Sequence, residues 1–395
     1  MRAESFKSTS IGQLVPTIAG GQHCRAFAPH PLPHRVQYGS RLAYVLSEAS
    51  AALGELAGLA SQLPNPALLI NPFMRREAVL SSRIEGTQTE LADLYAYEAG
   101  QLILPGVDGG APEEDRQEVA NYVRALQYGL EALDRLPLSL RLIREVHAHL
   151  LDGARGRDKA PGELRRVQNW IGGGRNVQDA VFVPPPPPEM KAGMEQLEVY
   201  LNSEDPENPP LVRLAMVHYQ FEALHPFLDG NGRVGRLLLV LMLVQWNLLP
   251  APLLYLSGYL ESHRSTYYEL LLKVSQEGRL EDWIEFFLNG VAEQAKDARA
   301  RARRLQDLQA QWRSLLVSRR TSSLVVRLMD SLFQYPVLTI PGAAELLQVS
   351  YVGARNSIEK LLAAGIVREV GANNRRAFLA EAVLGAVNDP VEPVD

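Results

Sequence analysis

The sequence predicts a mainly α-helical protein with a β-hairpin inserted midway and a small helix-and-hairpin domain at its C-terminus. Apolar residues recur at three- and four-residue spacing through most of residues 41–103, 113–151 and 189–318, the mark of amphipathic helices. A β-prone interruption follows the second stretch, where "VQNWI" and "AVFV" flank "GGGRN" and run into the prolines 184–188. After Thr321 comes a compact pattern of short helices that closes on two β-prone pieces around "GANN".

Composition bounds the problem. The 395 residues suffice for two or three domains, and 46% hydrophobic with 22% charged residues is ordinary for a globular protein. A net charge of −5 argues against a general polyanion binder. The single cysteine, Cys24, excludes an internal disulfide and a multi-cysteine zinc site. The N-terminus has no apolar core of signal-peptide length. The most apolar run, "LLLVLMLVQWNLL" at 237–249, is too short to span a bilayer and suits a buried helix. No membrane anchor and a cytoplasmic location are expected.

Taken in order, residues 1–40 look irregular. "LAYVLSEASAALGELAGLA" and "PALLINPFMRREAVLSSRIEG" predict two helices, the second stopping at Gly86 as a C-cap. "EVANYVRALQYGLEAL" and "LSLRLIREVHAHLL" continue the helical pattern. The hairpin at 167–183 and a stiff polyproline connector lead to the next helix at about 189. "RARRLQDLQAQWRSLLVSRR" is polar on most faces and predicts a solvated connecting helix. Beyond it, "PVLTIPGAAELLQV" and "SYVGARNSIEKLLAAG" predict helices, and "IVREVGANNRRAFLA" a hairpin. Together they suggest a winged-helix arrangement, with 350–362 as recognition-type helix and "GANNRR" as wing. The expected organisation is 1–110, an N-terminal helical region; 111–290, a helical core; 291–320, a connecting helix; and 321–395, a winged-helix-like domain.

Chemistry concentrates in "HPFLDGNGRVGR" at 225–236. The helix "LVRLAMVHYQFEAL" must end near His225, because Pro226 is poorly tolerated in a helix interior. Gly230 and Gly232 permit close backbone approach. The next helix starts at about Gly232, and its first N–H groups form an anion site. Arg233 and Arg236 share its first turns, where two cations oppose the helix dipole unless an anion binds. Asp229 offers a hard oxygen ligand for Mg²⁺, and His225 can accept a proton near neutral pH. The literal G-x-G-x-x-G match, Gly230, Gly232 and Gly235, is not a dinucleotide fingerprint, since a helix rather than a strand precedes it. No Walker A, kinase or H-E-x-x-H motif occurs.

The stretch resembles the signature of the Fic (filamentation induced by cAMP) family, H-x-F-x-[DE]-G-N-G-R-x-x-R, at every defined position, and the likeness covers roughly residues 40–290. It implies a Fic-type helical bundle in which 169–188 resembles the substrate-docking flap. It further implies transfer of AMP from ATP to a Ser, Thr or Tyr hydroxyl of a target protein, with release of pyrophosphate. By motif position, His225 would be the base and Asp229 would hold Mg²⁺. Gly230, Asn231 and Gly232 would form the anion hole, Arg233 would contact phosphates, and Arg236 would engage the γ-phosphate. Val234 and Gly235 complete the phosphate-binding set, and Phe227 would anchor the loop from below.

Upstream, Ser81–Gly86 resembles the family's inhibitory motif, [ST]-x-x-x-E-[GN]. That implies Glu85 pairing with Arg236 as a brake, and a further role in removing AMP is left open. Tyr255, Tyr259 and His263 resemble the segment that closes over the base, with core packing as the other reading of the tyrosines. His147 and His149 point to different helix faces and do not suit a joint metal site. His218 suits the core, and Trp170 either touches the target backbone or supports the hairpin. Unknown target proteins, self-modification, a homodimer, and DNA or protein contact through the C-terminal domain are the expected partners. The alternatives are a DNA-binding regulator or toxin–antitoxin-like component whose core is a sensor, and transfer of another phosphate-containing group.

Overall fold

The computed structural model describes residues 1–62, 66–99, 111–153, 158–174, 176–370 and 376–390. In chain order, β1 (Gly12–Ala19) and β2 (Gln22–Pro29) precede α1 (Ser40–Ser61), α2 (Ala67–Ile84) and α3 (Leu91–Glu98). Then come α4 (Glu113–Ala132), α5 (Leu140–Leu150), α6 (Pro187–Leu201), α7 (Pro210–Leu224), α8 (Asn231–Gln245), α9 (Ser257–Ser262) and α10 (Arg264–Glu277). The long α11 (Leu280–Ser318) is followed by α12 (Ser323–Ser331), β3 (Val337–Thr339), α13 (Ile340–Leu347) and α14 (Tyr351–Ala363). The chain closes with β4 (Arg368–Val370), β5 (Ala377–Leu379) and α15 (Glu381–Asn388). Among the described residues no helix is long and apolar enough to cross a membrane.

The chain divides into two units, Met1–Gly54 with Arg124–Ala295, and Glu55–Val123 with Lys296–Asp395. In the first, α7 and α8 are apolar nearly all round, as befits helices surrounded by protein. Leu211 to Phe221 are buried in succession, as are Arg233 to Leu243. The two helices pack closely because Gly235 carries no side chain: a Cβ there would lie 2.5 Å from Glu222 Oε1 and 3.2 Å from Phe221 Cδ1.

Residues 1–40 are not wholly irregular. β1 and β2 form an antiparallel hairpin with Ala19 opposite Gln22. The turn is Gly20–Gly21, both at positive φ (54° and 76°), the conformation that a tight two-residue hairpin turn requires and glycine supplies. The hairpin packs Ala19 and Ala26 against Val177, Ala180 and Val183. The 167–183 segment itself has one bridge, Ile171 with Phe182, rather than paired strands, and a short 3-10 turn at Val177–Asp179. Arg175 lies outside the described residues. The helix after the prolines begins at Pro187, where proline's fixed φ suits the first turn.

In the second unit α15 packs on α2 and α3. The portion of α11 read as solvated buries Ala302, Leu305, Trp312 and Leu316, so it has a genuine core face. Even Arg301 is buried there, donating to Asp297 (2.7 Å), Val387 O and Asp389 O (2.8 Å). Val337–Thr339, within "PVLT", is a strand rather than the start of a helix. β3, β5 and β4 make a three-stranded antiparallel sheet in that order, beside α12, α13 and α14. Thr339 and Ser350 cap α13 and α14 through the N–H groups of Gly342 (3.1 Å) and Gly353 (3.2 Å). The tip read as a wing, residues 371–375 with Arg375, lies outside the described residues.

Candidate active site

The loop between α7 and α8 carries the candidate chemistry. His225 is the C-cap of α7, at φ 46° and ψ 61°. A left-handed conformation is uncommon for a side chain with a Cβ and costs on the order of 1–2 kcal/mol, so surrounding contacts must hold it. Pro226 prevents the helix from continuing. Gly230, also left-handed (φ 76°), is the N-cap of α8. Its N–H donates to Asp229 Oδ1 at 2.6 Å, while Val234 N–H donates back to Gly230 O at 3.0 Å. By helix geometry the N–H groups of Asn231, Gly232 and Arg233 then have no intrahelical acceptor and form the anion-attracting end of α8.

Four side chains fix the loop by gripping its main chain. Asn231 bonds Phe227 twice, accepting from its N–H at 2.8 Å and donating to its carbonyl at 2.9 Å. Asn169 donates to the same carbonyl at 3.1 Å. His147, fully buried on α5, accepts from Gly162 N–H at Nδ1 (2.9 Å). The proton is therefore on Nε2, which donates to Asp229 O at 3.0 Å. Burial lowers the His147 pKa to about 4, keeping the ring neutral. The same ring stacks on Phe227, 3.8 Å between centroids at 12°, and Phe227 is fully buried. Arg165 donates to His225 O at 2.9 Å and to neighbouring carbonyls.

The structure thus brings His225, Asp229 and the start of α8 into one loop. Asp229 has a side chain 39% exposed, with Arg233 NH2 3.5 Å from its Oδ1. Arg233 and Arg236 are buried on the first turns of α8. Val234 and Gly235 lie on the packed side of the helix, Val234 buried and Gly235 against Phe221 and Glu222. His263 is exposed at the end of α9, with Nδ1 3.0 Å from Tyr259 O and its ring 4.3 Å from that of Tyr259. Tyr255 and Tyr259 are largely buried. In the second unit, Ser81 is buried on α2 and Glu85 is exposed at its C-cap.

His218 is a core residue, bonded to Tyr267 Oη at 2.8 Å and stacked on Trp283. His149 is exposed against Tyr128, away from His147. Trp170 supports the hairpin, donating to Gly174 O at 3.0 Å and packing on the β1–β2 cluster. Sequence reasoning did not find Arg165, Asn169 or His147 as loop anchors. Their partners are main-chain atoms, which leave no pattern in side-chain identity.

Residues 44–131 match the model of the Fic/DOC family N-terminal region, and residues 137–243 match that of the Fic/DOC family. Two curated proteins named protein adenylyltransferase Fic, from Drosophila grimshawi and Drosophila virilis, are 30% and 31% identical over 208 residues. Each match covers 51% of this chain and 38% of the relative, so the chain spans well under half the length of these relatives. The crystal structure of a Fic family protein from Desulfovibrio desulfuricans G20 shares the fold. It has a TM-score of 0.56 and 21% identity over 87% of this chain and 97% of that one.

Proposed function

The chain belongs to the Fic/DOC family across residues 44–131 and 137–243, and on that premise we propose that it is a protein adenylyltransferase. It moves AMP from ATP to a hydroxyl side chain of a target protein. The observation that carries this reading is the single loop that presents an imidazole, a carboxylate and a helix N-terminus with two arginines. His225 removes the proton of the target hydroxyl, whose oxygen attacks the α-phosphorus. The bond to the bridging oxygen breaks and pyrophosphate leaves. The helix N–H groups, Arg233 and Arg236 neutralise phosphate charge, which is most of what such a transfer needs. His263 lies on the segment read as closing over the base.

Asp229 suits Mg²⁺. Oδ1 is engaged by the Gly230 N–H, and the side chain is open to solvent. No group of three or more potential metal ligands occurs among the described residues. A single carboxylate that leaves the other positions to phosphate oxygens and water is how Mg²⁺ is commonly held. Bound there, the ion would neutralise phosphate charge.

Autoinhibition by Glu85, acting on Arg236, is proposed from the resemblance of Ser81–Gly86; a part for Glu85 in removing AMP belongs to the same reading. The three helices and three-stranded sheet of residues 323–379 support the winged-helix reading. There Arg355, Arg368 and Arg376 are each paired with a carboxylate, Glu359, Glu381 and Glu369. Leu346, Tyr351 and Val352 are exposed. These exposed apolar residues favour a protein contact for the domain.

The test is a self-modification assay with Mg²⁺ and ATP labelled at the α-phosphate, comparing wild type, Glu85→Gly and His225→Ala. Label that requires His225 supports AMP transfer. Label from another nucleotide alone would replace AMP with a different phosphate-containing group.

A further inference from the structure

Arg165 is 3% exposed, yet none of its described hydrogen bonds goes to a carboxylate. Its guanidinium donates to His225 O (2.9 Å) and Leu224 O (3.4 Å) at the end of α7. It also donates to Val167 O (3.2 Å) and Pro185 O, the two ends of the 167–185 segment. Its backbone N–H donates to Pro226 O at 2.9 Å. Burying a cation without an opposite charge is unfavourable, and burial lowers the Arg165 pKa to about 10. The helix C-terminus, the negative end of the α7 dipole, offsets part of this. Core packing alone would be better served by an apolar residue, so the charge calls for another explanation.

We infer that Arg165 is a positioning residue for the transfer step, setting the His225 backbone and the base of the 167–185 segment in one register; this rests on the adenylyl-transfer reading above. The loop is held in two halves. Asn231 and His147 fix Phe227 and Asp229, the half that leads into the anion site. Arg165 fixes Leu224, His225 and Pro226, the half that carries the base. A planar fork reaches diverging carbonyls that the hydrogens of a single ammonium nitrogen cannot serve together. Disturbing Arg165 therefore displaces the base and the segment that resembles the docking flap, while leaving the nucleotide half in place.

The experiment compares Arg165→Lys and Arg165→Met, each in the full chain carrying Glu85→Gly. Single-turnover AMP transfer is measured with α-labelled ATP, and ATP affinity is measured by calorimetry in the matching His225→Ala proteins. Transfer is expected to fall about 30- to 100-fold in both variants, because a displacement near 1 Å is enough for such a loss. ATP affinity is expected to stay within about threefold, since its anchors are untouched. Equal transfer by the lysine variant, or losses that track ATP affinity or the folded fraction, would overturn the inference. If the Glu85→Gly parent itself shows no transfer, it is the adenylyl-transfer reading that fails. Arg165 is then judged by histidine-selective ¹⁵N spectra, with His225 assigned by its alanine variant. A shifted His225 ring signal in Arg165→Lys is expected, and an unchanged one refutes positioning. Should neither variant fold, the Arg165 Nε–H in the parent is read directly: slow exchange is expected, and fast exchange refutes the clamp.

Discussion

Replacing Asn231 by alanine should loosen the 225–233 loop without unfolding the protein. Asn231 is 3% exposed and makes two hydrogen bonds, both to Phe227. Truncation leaves the Phe227 N–H without its acceptor, and an unsatisfied buried donor costs about 1–3 kcal/mol. The Phe227 carbonyl keeps Asn169 at 3.1 Å, so only one group is orphaned rather than two. A loss of about 2 kcal/mol corresponds to a roughly 30-fold larger open population. Amide hydrogen exchange, with peptides covering 225–233 followed by mass spectrometry, reads that population, and peptides from α7 control for global opening. Asn169→Ala removes one bond to a carbonyl that retains another, so its effect should be several-fold smaller. Exchange in Asn231→Ala within twofold of wild type would refute the reasoning. So would a larger effect from Asn169→Ala.

Other outcomes follow from the same geometry. Glu85→Gly should raise self-modification well above wild type; equal labelling of the two proteins would remove the proposed brake. Gly235→Ala should destabilise by about 1–3 kcal/mol, because Phe221 is fully buried and cannot yield to the new Cβ. An unchanged melting temperature would show that α7 and α8 separate at no cost. Acid should destabilise through three buried histidines. Burial lowers His34 and His147 to about 4, and burial with the Arg236 charge lowers His218 to about 3. Unfolded, each titrates near 6.5, so the unfolded chain binds protons more readily. The stabilisation is complete above pH 6.5 and is lost as pH falls from there towards 4, about 2 kcal/mol per ring by pH 5. His218→Gln should flatten the pH dependence of stability between 6.5 and 5 by about one proton; an unaltered slope would place that ring's titration elsewhere.

The loop at 225–236 was legible because its chemistry resides in side-chain identity and spacing. The end of α7 and the start of α8 are legible for the same reason: a proline and glycines leave few other conformations. The β1–β2 hairpin was not read, although Gly20–Gly21 is a turn signal. Pro16 sits within β1, and the alternation of buried and exposed positions is weak, with Ile18 pointing to solvent. β3 merges with a helix in the sequence pattern because it is three residues long and runs directly into α13. The 167–183 segment pairs less than its β-prone pieces suggested, since positive-φ glycines at 172–174 and the turn at 177–179 interrupt the ladder. In the sequence His147 raises only the question of a metal site. That its two nitrogens face a backbone N–H and a backbone carbonyl depends on chain segments far apart in sequence.

The four anchors described above hold main-chain atoms of the loop, while Leu228 between them is exposed. Shape and surface are therefore separable in this loop. The side chains that hold the backbone come from α5, the 165–169 segment and the start of α8, and none of their described hydrogen bonds involves Leu228. A substitution at 228 therefore changes what the loop presents to solvent while these anchors stay in place.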